Sequence, residues 1–425
     1  MSSAEPTHIY YDLEVANQAL NDTGLPPSRL SFTQVRSSSI LDNPNDYFMS
    51  IVRFSLDTAG ALPSFIPQID LQQSNDPSSN FFTPDFPNKT VYEITLSYKD
   101  ASGVTFSSTK PVIYIPHIKA GLNLPGFVAP ASPPLTIADG TTNYYWVQNL
   151  NQWIQMINKT MSDAWASVVF DASGSVTPLT GDNAIPPYLL WNNETNVATL
   201  YANVALFNQG AFWNPYSTPA SPASANLWFN APLRVLFSSF EYTFQGYAPP
   251  NSFLLRVYDR GDNVIAKGTT PPSVAGFLVP RFNALAMVQA FSTGPTMCPI
   301  TSIIFTTSLL PVLPSLLGIP QLFSGNSGVI NQDNNNIINT VTDLEVNLTR
   351  GDEYLPNVIY EPTAEYRLLD LQSNAPLTSI QISVVWKDIF GQVHDFYIQN
   401  GCGATLKVMF RKKAYNNIVP FSVMS

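Results

Sequence analysis

Val91-Tyr92-Glu93-Ile94-Thr95-Leu96-Ser97-Tyr98, followed by Lys99-Asp100-Ala101-Ser102-Gly103 and Val104-Thr105-Phe106, decides the fold class. Apolar and polar side chains alternate through the first eight residues, the period of a strand with one face buried and one open. Turn formers come next: Asp can bond its own turn backbone, and Gly supplies a positive φ. Alternation then resumes, so the stretch predicts a β-hairpin. The same order (aromatic, Lys, Asp, two residues, Gly) returns at Trp386-Lys387-Asp388-Ile389-Phe390-Gly391, between an Ile380–Trp386 strand and a Val393–Ile398 return. A looser third hairpin is predicted from Phe253–Tyr258 through Asp259-Arg260-Gly261-Asp262-Asn263 to Val264-Ile265.

Two further segments resemble one another. Ser50-Ile51-Val52-Arg53-Phe54-Ser55 leads to Leu62-Pro63 and Ile66-Pro67; Ser302-Ile303-Ile304-Phe305-Thr306 leads to Leu313-Pro314 and Ile319-Pro320. Each precedes a Lys-Asp hairpin. Either the chain holds two similar β units, or the same strand-and-turn grammar recurs independently. One helix interrupts the β pattern. Trp146, Leu150, Trp153, Ile154, Ile157, Met161, Trp165 and Val168 fall at three- and four-residue steps, and Gln148, Asn149, Gln152, Gln155, Lys159, Ser162 and Asp163 fill the other face. Thr141-Thr142-Asn143 offers its N-cap. The tryptophan face is expected to pack on a sheet. Pro125–Thr142 and Asn214–Asn226 read as Pro/Ala/Ser-rich loops flanking this region, and Asn331–Asn339 as another loop. The chain is thus expected to be mainly β in three parts: an N-terminal β region over 1–124, a helical and Pro-rich insertion over 125–226, and a C-terminal β region over 227–425.

Only 12% of the 425 residues are charged, about half the ~25% of ordinary soluble domains. Such a chain can fill a large core, and its remaining surface resembles buried subunit contacts. A subunit of an assembly is expected, against a soluble β protein kept in solution by Asn, Ser and Thr. The net charge of -10 argues against broad nucleic-acid binding. Ile300–Phe323 is apolar enough to span a membrane, but Pro311, Pro314 and Pro320 would break a helix there, so buried strands are expected. Met1–Leu13 has no apolar core, so no secretory signal is expected and the protein is made in the cell interior. The Asn-X-Thr matches at 21, 88, 158, 193 and 347 then read as chance products of composition. Cys298 and Cys402 could form one bridge at most, and free thiols are expected.

Chemistry finds no foothold. His8, His117 and His394 are isolated, with no second ligand at metal spacing. There is no nucleophile elbow, phosphate loop or dinucleotide fingerprint. No catalytic, cofactor-binding or metal-ligating residue is assigned, and no cofactor. The acidic region Asp343–Asp370, with Glu345, Asp352, Glu353, Glu361 and Glu365, could hold calcium, but reads first as a solvated loop partnered by Arg350 and Arg367. Arg260-Gly261-Asp262 matches the adhesion tripeptide, yet its residues are ordinary turn formers. Lys407, Arg411, Lys412 and Lys413 form the one basic cluster. It could face a genome or an acidic partner, or guard an edge strand, and the guard is preferred.

Four stretches resemble capsid proteins of virophages and polinton-like viruses, especially the minor capsid or penton type. They are Asp42–Phe54, Leu227–Asn230 through Leu236–Phe240, Ala364–Leu371 and Leu406–Lys413. The resemblance implies jelly-roll antiparallel β-sandwiches, no catalysis, and a place in an icosahedral virion among copies of itself and other capsid proteins. A single jelly roll with an insertion would suit a vertex subunit; two would suit a hexon-like major capsid protein. A lectin-like sandwich, with Trp and Tyr of residues 183–229 stacking on sugars, is a third possibility, and an enzyme using the 343–370 carboxylates ranks last.

Overall fold

A computed structural model describes residues 7–17, 28–57, 89–113, 150–208, 224–245, 253–268, 282–297, 300–316, 322–323, 329–330, 337–345, 357–360, 367–389, 391, 393–398 and 403–413. The chain divides into two compact units: Met1–Pro63 with Ala138–Thr142 and Pro299–Ser425, and Ser64–Ile137 with Asn143–Cys298. In chain order, the first unit opens with β1 (His8–Ala16), β2 (Ser31–Val35) and β3 (Tyr47–Asp57). The second unit follows: β4 (Lys89–Lys99), β5 (Thr105–Ile113), helix α1 (Leu150–Asp171), β6 (Tyr188–Asn192), β7 (Val197–Asn203), β8 (Ser224–Phe229), β9 (Phe253–Leu255) and β10 (Ala284–Val288). The chain returns to the first unit for β11 (Ile300–Thr306), β12 (Thr340–Glu345), β13 (Asn357–Tyr360), β14 (Ser379–Asp388) and β15 (Gly403–Lys412).

The first unit is a jelly roll. One sheet runs β1-β15-β3-β13 and the other β12-β11-β14-β2, all neighbours antiparallel. Counted within the unit, the first strand pairs with the last, the second with the seventh, the third with the sixth, and the fourth with the fifth. That is a long antiparallel ribbon rolled into a two-sheet sandwich. Alternation drives it. Leu13, Met49, Ile51, Phe54, Leu56, Leu406, Val408 and Phe410 point inward from one sheet, and Phe32, Ile303, Phe305, Ile380, Ile382, Val384 and Trp386 from the other; all are buried. Phe54 meets Phe305 edge-on with centroids 4.9 Å apart, so the two sheets close on an aromatic pair. The break between β3 and β11 holds the entire second unit.

The second unit also has two antiparallel sheets: β5-β4-β8-β9 with Tyr242–Phe244, and β6-β7-β10 with Val264–Ile265. Helix α1 packs on β4, β5 and β6. Its Trp153 and Trp165 are fully buried, against Tyr92 (5.2 Å) and Phe207 (5.7 Å). Asn158 grips the sheet edge: its amide donates to the Leu189 carbonyl at 2.8 Å and its oxygen accepts from the Leu189 N–H at 2.7 Å. It stands in for a neighbouring strand. Trp146 and the expected cap at 141–143 lie outside the described residues. This unit draws on all three segments marked out by composition: β4 and β5 from the first, the helix with β6 and β7 from the second, and β9 and β10 from the third.

Both Lys-Asp turns form. Asp100 accepts from the Ser102 N–H (3.0 Å), the Ser102 hydroxyl (2.7 Å) and the Val104 N–H (2.9 Å), and Gly103 takes φ +92°. The Ser102 hydroxyl, aided by those N–H groups, holds the Asp100 carboxyl below the usual carboxylate range against the opposing effect of burial. Gly391 takes φ +81° and its N–H donates to the Asp388 carbonyl. The return strand after it is shorter than alternation predicts: Val393–Asp395 pairs with β14, and Tyr397–Ile398 leaves to pair with Ser28–Arg29.

The repeat does not hold. Its first copy joins β3 of the jelly roll to the β4–β5 hairpin of the other unit, whereas in its second copy β11 pairs directly with β14. Strand-and-turn grammar recurred without a repeated unit. The third hairpin also fails, because Phe253–Leu255 and Val264–Ile265 enter different sheets. The apolar run Ile300–Phe323 opens with the buried strand β11 rather than a helix, as its prolines required. Among the described residues no helix is long and apolar enough to cross a membrane. Asn226, placed in a loop by composition, belongs to β8.

Candidate assembly surfaces

The outward faces of the two jelly-roll sheets differ in chemistry. On the first, Asp12 sits between Arg53 (3.6 Å) and Lys407 (3.4 Å), and the Lys407 ammonium lies 6.0 Å from the Tyr10 ring centroid. β15 is flanked by β1 and β3, so the guarded edge strand expected at the basic cluster does not exist. Lys407 is a central-strand residue answering its neighbours' carboxylates. Lys413 pairs with Asp370 and donates to the Asn45 carbonyl at 2.5 Å.

The outward face of the second sheet carries hydroxyls and an amide. The Gln381 amide donates to Ser383 (2.5 Å) and Ser31 (3.2 Å), its oxygen accepts from the Ser308 hydroxyl (2.9 Å), and the Thr307 hydroxyl donates to the Gln381 carbonyl (2.6 Å). In the second unit, the outward face of β6, β7 and β10 presents Tyr188, Leu190, Thr199, Tyr201 and Val288. Tyr188 and Tyr201 are register partners with rings stacked at 5.2 Å. Burial pushes the Tyr188 phenol up to about 12 and raises that of Tyr201. Polar uncharged or apolar, prearranged surfaces of this kind lose little on dehydration at a subunit contact.

The residues considered for chemistry take structural places. His394 is buried, 3.1 Å from the buried Asp388, with its ring 4.3 Å from that of Trp386. The His8 ring contacts the Thr7 hydroxyl, and His117 lies outside the described residues. Asp343 pairs with Arg367; Arg350, Asp352, Glu353, Glu361 and Glu365 lie outside, as do both cysteines. No cluster of metal-ligating side chains occurs among the described residues. A cleft of about 80 Å³ between Ser239, Glu241, Arg256 and Arg260 is far below the ~300 Å³ of a small-molecule site.

The Arg260-Gly261-Asp262 turn is held by its own side chains. Asp259 accepts from the Gly261 N–H (2.7 Å), Asn263 from the Arg260 N–H (2.8 Å), and Gly261 takes φ +93°. The Arg260 guanidinium donates to Glu241 at 2.5 Å and lies over the Tyr258 ring. These contacts give the turn a structural role. Asp262→Glu should leave cell attachment by virions unchanged; lost attachment by a folded protein would establish the adhesive role instead.

A family model described as Sputnik minor capsid protein V18/19 matches residues 9–412. The chain belongs to this family. It is also 31% identical over 165 residues to the uncharacterized protein V18 of Sputnik virophage, covering 39% of this chain and 86% of that one. A chain in the 3.5 Å cryo-EM structure of the Sputnik virophage superposes with TM-score 0.66 at 24% identity, over 97% of this chain and 99% of that one. The mavirus penton protein superposes with TM-score 0.51 at 14% identity, over 96% and 99%. At these identities the likenesses speak for the fold.

This minor capsid protein is a structural component of the virion and assembles with other capsid subunits. Its faces were only partly visible in the sequence. The Ser31, Gln381, Ser383 network was missed, although all three of its outward side chains are uncharged and able to hydrogen-bond. Of the aromatics proposed to stack on sugars, Trp191 and Trp228 are 8% exposed and Tyr188 and Tyr201 stack on each other, while Trp213 and Tyr216 lie outside the described residues.

Proposed function

We propose that this minor capsid protein is the vertex subunit of an icosahedral shell, closing into a ring of five through its jelly roll. The observation that carries the reading is the single rolled ribbon with the second unit inserted between its third and fourth strands. A hexon-like double jelly roll would repeat the rolled pairing, and the second unit pairs its strands differently. The likeness to the mavirus penton protein supports the same choice. The role is architectural, without a reaction, a cofactor or a metal, and the protein is made in the interior of the host cell. Direct contact with the genome is not part of this reading; within the basic cluster Lys407 pairs with Asp12 and Lys413 with Asp370.

Sedimentation of the purified protein at micromolar concentration tests this. A pentamer is expected. A trimer would move the assignment to a hexon-like subunit, and a soluble monodisperse monomer would end the self-assembly reading.

A further inference from the structure

We propose that Tyr188 and Tyr201 form an oxidative cross-linking site, at which hydrogen peroxide acting through a peroxidase joins the two rings and closes the β6–β7 hairpin covalently. The inference goes beyond the vertex reading and does not depend on it.

The strand register sets up the pair. β6 and β7 are antiparallel neighbours whose turn begins at Asn192, and the Asn192 side-chain oxygen fixes that turn by accepting from the Glu194 N–H at 2.8 Å. Tyr188 opposes Tyr201 at the other, open end of the ladder. Both side chains stand half-buried on the outward face, with rings 5.2 Å apart and 12° from parallel. The buried Phe282 also meets the Tyr188 ring, edge-on at 6.1 Å. The two phenols are thus held as neighbours before any oxidant arrives, and a chance encounter is replaced by a contact already made. After burial, the Tyr201 phenol is the second cause that raises the Tyr188 pKa, so the two hydroxyl ends lie close together. The ring carbons beside those hydroxyls, where phenoxyl radicals couple, are neighbours for the same reason. Tyr10, Tyr11, Tyr98 and Tyr242 meet histidine or phenylalanine rings instead.

The step balances. Each phenol gives one electron and one proton and becomes a phenoxyl radical. The radicals join at the ring carbons next to their oxygens, and the hydrogens on those carbons move to the oxygens, restoring both phenols. Two ring C–H bonds are exchanged for one C–C bond. The two electrons and two protons released reduce one hydrogen peroxide to two waters.

The consequence is local. β6 is the outer strand of its sheet, gripped at Leu189 by the Asn158 amide. The turn ties one end of the hairpin and the new bond ties the other, so β6 can no longer peel away from β7. A cross-link also restricts the unfolded chain, as a disulfide does.

The test treats the purified full chain with a peroxidase and hydrogen peroxide, then maps the cross-links by mass spectrometry. Trypsin cannot separate the two residues, because no Lys or Arg lies between Lys159 and Arg234, but cleavage after Glu194 does. The Tyr188 and Tyr201 peptides of the denatured digest are expected as one species, lighter by two hydrogen atoms than their sum. It should be the main tyrosine cross-link in a chain of 19 tyrosines. Tyr188→Phe and Tyr201→Phe each remove only a hydroxyl, and each should abolish it. Two peptides that stay separate, or other tyrosines and separate chains joined as often, overturn the inference. Treatment should also slow amide exchange in β6 and β7 roughly tenfold in the wild type and leave it unchanged in Tyr188→Phe. Equal slowing in both, or none in a cross-linked wild type, overturns the closure of the hairpin.

Discussion

Trp153→Ala should destabilise the second unit by about 3–5 kcal/mol, the range for deleting a buried large aromatic. The ring is fully buried on α1 and meets Tyr92 of β4 edge-on at 5.2 Å. Truncation removes the apolar contact and leaves a void between the helix and the sheet, which close packing refills only in part. The loss should appear as a lower denaturant midpoint for the second unit. The amides of β4 and β5 should exchange roughly a hundredfold to a few thousandfold faster where exchange follows unfolding of that unit. A change below ~0.5 kcal/mol, as at a surface position, would show that α1 does not supply the core of this unit. Phe170, on the same helix and 78% exposed, supplies the contrast: Phe170→Ala should cost almost nothing.

That helix was legible because its signal is local. Tryptophans and aliphatics at three- and four-residue steps can bury one face of a helix only, whatever that face meets. The hairpin at Asp100 was legible for the same reason, since its carboxylate and Gly103 complete the turn within five residues. The jelly roll was not legible from periodicity and entered through the family resemblance. Its partners are remote: β1 meets β15 nearly the whole chain away, and nothing in His8–Ala16 marks Gly403–Lys412 as its neighbour. The charges held the clue in part. Asp12 opposes Lys407 in the register, and a carboxylate outward on one strand is matched by a cation outward on the next.

The insertion was misplaced for a related reason. Composition marks where a chain is rich in proline or serine, not where it leaves and re-enters a fold. The second unit is reached after β3 and left before β11. Likewise the basic cluster suggested an edge because four cations close a strand. β15 is paired on both sides, and of the four cations Lys407 pairs with Asp12 and Lys413 with Asp370. The assembly surfaces were the least legible part. A face of Ser, Thr and Gln becomes a surface only once the strands are placed beside one another.

Phe54→Ala should be as costly for the jelly roll as Trp153→Ala is for the other unit, about 3–5 kcal/mol. Phe54 lies on β3 between Leu406 of β15 and Tyr360 of β13 in the register, and its ring crosses the sandwich to Phe305 on β11. It is therefore the point where the strand before the insertion touches the strand after it. The two strands are separated in sequence by the whole second unit, so their contact has to be made by side chains strong enough to offset the closure of that long excursion. Phe305→Ala should cost a similar amount. The two losses should not add: an edge-on aromatic pair contributes about 0.5–1.5 kcal/mol beyond the area it buries, and a double-mutant cycle recovers that coupling. Denaturant midpoints of the wild type, the two single variants and the double variant measure it, with the amides of β3 and β15 reporting on the jelly roll. Strict additivity would mean that the two sheets are held by other contacts and that this pair only fills space. If the coupling is present, the variants should also assemble poorly at temperatures where the wild type is intact, because assembly with other capsid subunits requires the faces of an intact sandwich.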